Sequence, residues 1–382
     1  MDLHAQIAAL YERAVSIRQE LHQIPETCFN EHKTQAYLLA ALEALSVDRV
    51  ETLAKTGVKA VFFAEHAKET VAFRADMDGL KTREMNDVSY RSIHPDRMHA
   101  CGHDGHMTML LLLAELISRN REKLTANVVL LFQPAEEGQG GAMHMIEDGA
   151  LKNPDVDRIY GMHLWPSVEK GKVGVRWGPM MAQTLEFDIA VHGKSAHGAS
   201  PQLGVDAVVA AAELITFLQS VITRNVDPHQ DALLTIGRVE GGVGRNIIAD
   251  EVVLGGTLRV FNGDVYREMD THIRAMMSGL EMATGASFDL KPLMHYPSVE
   301  NPRYLVEQFY RYVSMEDVVL PEPSMAAEDF ACYQQVIPGL FLFLGIGGGK
   351  NHTPLHSSSF DFDEDALLYG VEIDARLLGL VE

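Results

Sequence analysis

Apolar residues recur every three to four positions across 4–22 and again across 34–46, so each stretch presents one hydrophobic face and is expected to be a helix laid on a core. Residues 58–63 and 70–74 read instead as short strands, the second running directly into Asp76. The run HMTMLLLLAELISR at 106–119 is apolar on nearly every side, which predicts a helix buried between layers. Residues 127–132, NVVLLF, form the continuous apolar run of a strand covered on both faces. This alternation predicts an α/β sandwich around a parallel or mixed sheet.

The pattern changes near residue 183. Residues 184–192, TLEFDIAVH, alternate apolar and polar like a half-exposed strand. A helix is predicted over 205–223, strands over 233–239 and 252–260, a helix over 264–284 and a last strand over 287–292. That β-α-β-β-α-β order is the order of a ferredoxin-like α+β unit. Beyond about residue 293 the first pattern returns, with an apolar strand at 340–344 and a closing helix near 364–378. The simplest organisation is one mixed-sheet αβα domain, 1–182 and 293–382, interrupted by a smaller α+β domain at 183–292. A chain of 382 residues suits that division, at roughly 150 residues per domain.

Composition narrows the partners. Lys and Arg number 32 against 53 Asp and Glu, a formal charge of −21, which disfavours nucleic acid or an anionic membrane as a partner. A local cationic pocket for an anionic small molecule stays compatible with it. No stretch approaches the roughly 20 uninterrupted apolar residues of a membrane span. The first residues are amphipathic and lack a signal-peptide pattern, so a cytoplasmic location is expected. Cys28, Cys101 and Cys332 are too few and too scattered for a disulfide framework, which leaves each thiol free to ligate metal.

The candidate chemistry centres on His99-Ala100-Cys101-Gly102-His103-Asp104-Gly105-His106, where ligand-type side chains crowd a glycine-containing loop before a buried helix. Such a loop suits a metal; its plain alternative is a helix start with Asp104 as cap and surface histidines. Glu136 and Glu137 follow an apolar strand, where one carboxylate can bind a cation while its neighbour moves a proton. A lone Glu-Glu pair is more often a solvated turn. Asp76 and Asp78 close another strand and can orient a histidine ligand, or form an ordinary acidic turn. His163 lies in an apolar setting that equally suits a core histidine. His352 and His356 follow a glycine run, 345–349, that lacks the context of a nucleotide loop and is expected to be a flexible pocket loop. In the inserted domain, His197 sits among small residues, and the run 241–246 ending at Asn246 offers donors for a carboxylate. No one element is decisive apart from the Cys101 run; their gathering at strand ends is what suggests a metal-dependent catalyst.

The chain resembles, from end to end, the metallopeptidase-like amidohydrolase family of aminoacylases, hippurate hydrolases, auxin-conjugate hydrolases and N-acetyldiaminopimelate deacetylases. The likeness is carried by LHQIPE (21–26), RADMDGL (74–80), MHACGHDGHM (98–107), LFQPAEEG (131–138), GMHLWP (161–166), GKSAHGASP (193–201), GTLRVF (256–261), AAEDF (326–330) and PLHSSSFDF (354–362). The resemblance implies a metallohydrolase domain with an inserted lid and two divalent ions per subunit. It implies Cys101, His103, Glu137, His163 and His356 as ligands, Cys101 bridging, and Glu136 as general base. Asp76 or Asp78 would be the second catalytic acid, His197 an oxyanion contact, and Asn246 and Arg259 contacts for a substrate carboxylate. A thiolate ligand leans towards zinc, whereas the resemblance extends to manganese, cobalt or nickel. The implied reaction is hydrolysis of a small N-acyl amino acid, with a dipeptidase on the same site as runner-up and a non-catalytic metal protein as the third reading. A homodimer through the lid is also expected. Gly79-Leu80-Lys81-Thr82 departs from the family's usual Ala-Leu-Pro, which leaves the acyl preference open.

Overall fold

The continuous apolar runs become the middle strands of an eight-stranded mixed sheet. In this computed structural model, which describes residues 3–348 and 353–380, β1 (Arg49–Leu53), β2 (Gly57–Phe62), β3 (Thr70–Asp76), β4 (Asn127–Gln133) and β5 (Arg158–Glu169) are joined by strands at Gly339–Gly347, Val173–Gly174 and Val318–Val319. Their spatial order is β1-β2-β4-β3-β5, then 339–347, 173–174 and 318–319. β3 runs parallel to both β4 and β5, and Gly339–Gly347 runs parallel to β5. β3 is buried along its whole length and β4 along all but its first residue, as strands covered on both faces must be.

Helices cover both faces. On one lie α2 (Tyr11–His22), α4 (His103–Arg119) and the helix Asp365–Leu377; on the other lie α5 (Gly141–Glu147) and the helix Phe330–Gln334. Leu110, Leu111, Leu112 and Leu113 of α4 are all at most 3% exposed. At roughly 1.5–3 kcal/mol per fully buried leucine, this helix is a main source of cohesion between the layers.

Several boundaries differ from the sequence pattern. The first predicted helix is two, α1 (Leu3–Ala8) and α2, yet the stripe Leu3, Ile7, Leu10, Ala14, Ile17 and Leu21 continues across the break into one core. The second predicted helix runs from His32 to Glu43 and is α3. Residues 345–347 of the glycine run expected to be a flexible loop are instead the end of the strand Gly339–Gly347. The reason is steric. A Cβ at Gly345 would stand 2.0 Å from the Glu169 carbonyl oxygen, and one at Gly347 2.2 Å from that of Pro166. Glycine lets this strand pass close to β5, and that requirement looks like looseness in the sequence. Gly349 and His352 lie outside the described residues.

The chain divides into two units: residues 1–180, 300–322 and 329–382 form the first, and 181–299 with 323–328 the second. The second unit holds an antiparallel sheet in the order 232–241, 251–260, 183–192, 287–296. Helices Ala207–Ser220 and Gly263–Thr284 pack on it through Ala210, Leu214, Leu218, Met269, Ile273 and Met277. This is the ferredoxin-like order expected from the sequence. The last strand runs on to Tyr296 through a register shift after Pro292; it lies at the sheet edge, where proline is tolerated. The helical stretch Ala207–Asn225 is long and apolar enough to cross a membrane by length and composition, with mean hydropathy 1.4, and its buried face belongs to this core.

Candidate functional site

The site grows out of strand ends. Asp76 at the end of β3 lies opposite Gln133 at the end of β4, so the segments leaving the two strands start side by side. One carries Asp78, the other Glu136 and Glu137. His163 sits midway along β5, opposite Phe343. Cys101 and His103 arrive at the start of α4. There Gly102 adopts φ +87°, and a Cβ on Gly105 would meet Leu164 and Phe362 within 2.8 Å. The two glycines therefore do different work, one turning the chain and the other letting the helix seat.

Five side chains converge. Cys101 Sγ is 3.5 Å from His163 Nε2 and 3.3 Å from His356 Nε2. His356 Nε2 is 3.2 Å from Glu137 Oε1, and His103 Nε2 is 3.9 Å from the same oxygen. Donor atoms of Cys101, His103 and His163 lie within 4.8 Å of one another, as do those of Cys101, Glu137 and His356, and those of His103, Glu136 and Glu137. The two Cys101 sets share one sulfur.

The ring orientations are fixed from behind. His103 Nδ1 donates to the Asp78 carbonyl oxygen at 2.9 Å, and His163 Nδ1 to that of Leu164 at 2.7 Å. A carbonyl only accepts, so each Nδ1 carries the proton and each Nε2 faces Cys101 or Glu137. This backing is the usual support of a metal-ligating imidazole. His356 has the strained φ of +62° and is held by its own N–H on the Ala100 carbonyl.

The donor set suits a cation. Among the described residues, buried His103 Nε2 has no hydrogen-bond partner and Glu137 Oε1 meets imidazole nitrogens, an arrangement that is costly unless something positive sits between them. Burial alone would lower the His103 pKa, but Asp76 and Asp78 outweigh it and push it up to about 10. Burial, Glu137 and Glu136 push the Cys101 thiol well up. Both shifts express a pocket with surplus negative charge. His163 is held well below its ordinary value by burial and by His106. Thiolate, imidazole and carboxylate together are ligands for zinc or a neighbouring divalent transition ion.

The remaining acids differ in place. Asp76 accepts from His106 Nδ1 at 2.6 Å and from Arg74 at 2.7 Å. Although burial opposes it, His103, His106 and Arg74 keep Asp76 ionised. Asp78 accepts the backbone N–H of Glu136 through one oxygen and that of Glu137 through the other, both at 3.1 Å. His106 is outside the ligand cluster because its Nε2 accepts from the Leu164 N–H. Asp104 is not the helix cap; it is buried, accepting from Arg18 at 3.0 Å and His22 at 2.7 Å.

Sequence reasoning missed Arg18, His22, Glu31 and Asp329. Asp329 accepts from Arg74, Gln133 and the N–H of Ala142, tying β3, β4 and α5 together. Its signal was its place in AAEDF.

In the second unit, His197 is exposed, pairs across from Ile247, and accepts the Ala199 N–H on Nδ1 at 3.0 Å. The Asn246 carbonyl accepts from Gly198, so His197 and Asn246 are neighbours. Arg259 lies elsewhere, opposite Thr184 at the far end of the strand from Glu251, bonded to Thr257.

The peptidase family M20/M25/M40 matches this chain over residues 72–379. An N-acetyldiaminopimelate deacetylase of Bacillus licheniformis is 39% identical over 366 residues, 95% of this chain and 96% of that protein. An IAA-amino acid hydrolase, ILR1-like 4, of Arabidopsis thaliana is 37% identical over 381 residues, 96% of this chain and 85% of that protein. A solved Bacillus subtilis structure described as a dinuclear metal binding peptidase from the M20 family superposes with a TM-score of 0.84 at 31% identity, covering 98% of each chain. The chain belongs to the peptidase family M20/M25/M40 and is one of its metal-dependent amide hydrolases.

Proposed function

We propose that this hydrolase cleaves the amide bond of small N-acyl amino acids, releasing a carboxylate and a free amino acid. The observation that carries the reading is the pair of three-ligand groupings that share Cys101, with Glu136 at their side. Cys101, His103, Glu137, His163 and His356 would hold two divalent ions, zinc or manganese first, with cobalt and nickel as alternatives. Bound there, such a pair supplies Lewis acidity, bringing water into reach of a carboxylate base near neutral pH and drawing charge from an amide carbonyl.

The chain's own residues do the rest. Glu136 takes the proton from the attacking water and returns it to the leaving nitrogen. Asp78 holds the Glu136–Glu137 turn by its carboxylate and His103 by its carbonyl, so it positions base and ligand together. Asp76 holds His106. His197 is assigned as a hydrogen-bond donor for the carbonyl oxygen, and Asn246 or, at the other end of its own strand, Arg259 as the contact for the substrate carboxylate. Relatives named for acetyl and for IAA conjugates of amino acids support the class while leaving the acyl group open. Self-association through the second unit is supported by its outer strands 232–241 and 287–296 and by exposed Val208, Val209 and Phe217.

Glu136→Gln should leave the fold and metal content unchanged while lowering kcat by about 10²–10⁴. Near-normal turnover by a metal-loaded Glu136→Gln protein would remove Glu136 as the base.

A further inference from the structure

Three consecutive amides precede and include the acidic pair, and each is captured by a buried carboxylate. Asp78 takes those of Glu136 and Glu137. The first, that of Ala135, donates at 3.0 Å to Glu31 Oε1. Glu31 is fully buried, and its other oxygen accepts from the Thr56 hydroxyl at 2.6 Å. Ala135 itself sits at φ +56°, a left-handed conformation that disfavours any residue with a Cβ by roughly 1–2 kcal/mol. Something must hold it there. Its carbonyl accepts from Gly141, and the only carboxylate among the described residues bonded to its N–H is Glu31.

The geometry is purposeful. β4 ends at Gln133, and the chain must turn sharply so that Glu136 and Glu137 both reach the cluster around Cys101. With the left-handed turn at Ala135 pinned from one side and the next two amides pinned from the other, the backbone beneath both carboxylates has little freedom. Loss of the Glu31 contact would let the turn relax towards an ordinary conformation and displace both side chains. Sub-ångström placement of such groups decides catalytic rate.

We propose that Glu31 is a positioning residue for the acidic pair, acting through the Ala135 N–H, with Thr56 orienting its carboxylate. This rests on the assignment of Glu136 as base and Glu137 as ligand. Glu31 is in none of the ligand groupings around Cys101.

The test compares wild type with Glu31→Ala, Glu31→Gln and Thr56→Val. Glutamine keeps an oxygen that can accept from Ala135, so it separates the hydrogen bond from mere filling of space. Two quantities are read on each protein: the affinity of metal-free protein for zinc, by competition with a chromogenic chelator, and kcat and KM on an N-acetyl amino acid. Glu31→Ala is expected to lose on the order of 10–100-fold in zinc affinity, in kcat, or in both, with KM within about twofold. Glu31→Gln should recover most of that loss, and Thr56→Val should fall between. The proposal is overturned by a folded Glu31→Ala protein with wild-type zinc affinity and kcat, or by a glutamine variant no better than alanine. If Glu31→Ala does not fold, Thr56→Val decides: reduced zinc affinity supports the proposal and an unchanged value overturns it. A wild-type protein that binds zinc but hydrolyses no acyl amino acid refutes the function alone, and the zinc series still decides the role of Glu31. Wild-type protein that takes up none of zinc, manganese, cobalt or nickel overturns both.

Discussion

Cys101 and His103 stand in a crowded run of ligand-type residues, and Glu137 was singled out only by its place after a buried strand and by a family motif; the groups that back them carry no such signal in the sequence. Arg18 meets Asp104 across 86 positions and Asp361 across 343, and Glu31 meets Ala135 across 104. A buried charge is identified by its partner, and these partners are distant in sequence. Asp104→Asn removes the charge opposite fully buried Arg18, and loss of one member of such a pair costs about 3–5 kcal/mol. Denaturant unfolding should register a loss of that order; an unchanged midpoint would mean that Asp361 and Glu364 suffice for Arg18.

Asp374 makes stability depend on pH. Its carboxyl faces a cavity of about 10 Å³ lined also by Arg74, His106 and Tyr160. Burial pushes it from an ordinary 3.8 up to about 8. Between roughly pH 4 and 8 the folded chain therefore keeps a proton that the unfolded chain has released, and stability falls as pH rises. Asp374→Asn removes that dependence. Its melting temperature should exceed that of wild type by more at pH 8 than at pH 5, by roughly 2–4 °C per kcal/mol relieved. A difference independent of pH would show that Asp374 titrates normally.

For whole elements, strong periodicity was a sound guide and close backbone contact was invisible. The buried helix α4 and the strand β4 announce themselves by apolar runs. The strand Gly339–Gly347 did so only over 340–344; its last three residues did not, because the glycines that let it pass β5 look like a flexible segment. Gly345→Ala would place a methyl against the Glu169 carbonyl and should abolish soluble folded protein or sharply lower its melting temperature. Gly237→Ala, where a Cβ meets nothing within 4 Å, should stay within about 0.5 kcal/mol of wild type. Equal effects of the two would contradict the steric reading.

On the molecular scale, the change from apolar runs to strict alternation near residue 183 marked the second fold, since a sheet open on one face alternates and a covered one does not. The substrate was not legible, because acyl preference depends on a few contacts that no periodicity encodes. Self-association through the second unit predicts a dimer in sedimentation velocity, and Phe217→Glu together with Val209→Glu should shift it to monomer. A monomer at all micromolar concentrations would exclude that assembly.

The proposed chemistry at this cluster is hydrolysis of N-acyl amino acids with the help of bound metal. Its most direct test is chromatographic measurement of free amino acid released from a panel of N-acetyl, N-benzoyl and dipeptide substrates, by zinc- and manganese-loaded protein and after chelation. Release from acyl amino acids is expected, faster than from any dipeptide, lost on chelation and restored by metal. Faster dipeptide cleavage, or release that survives complete removal of metal, would contradict it.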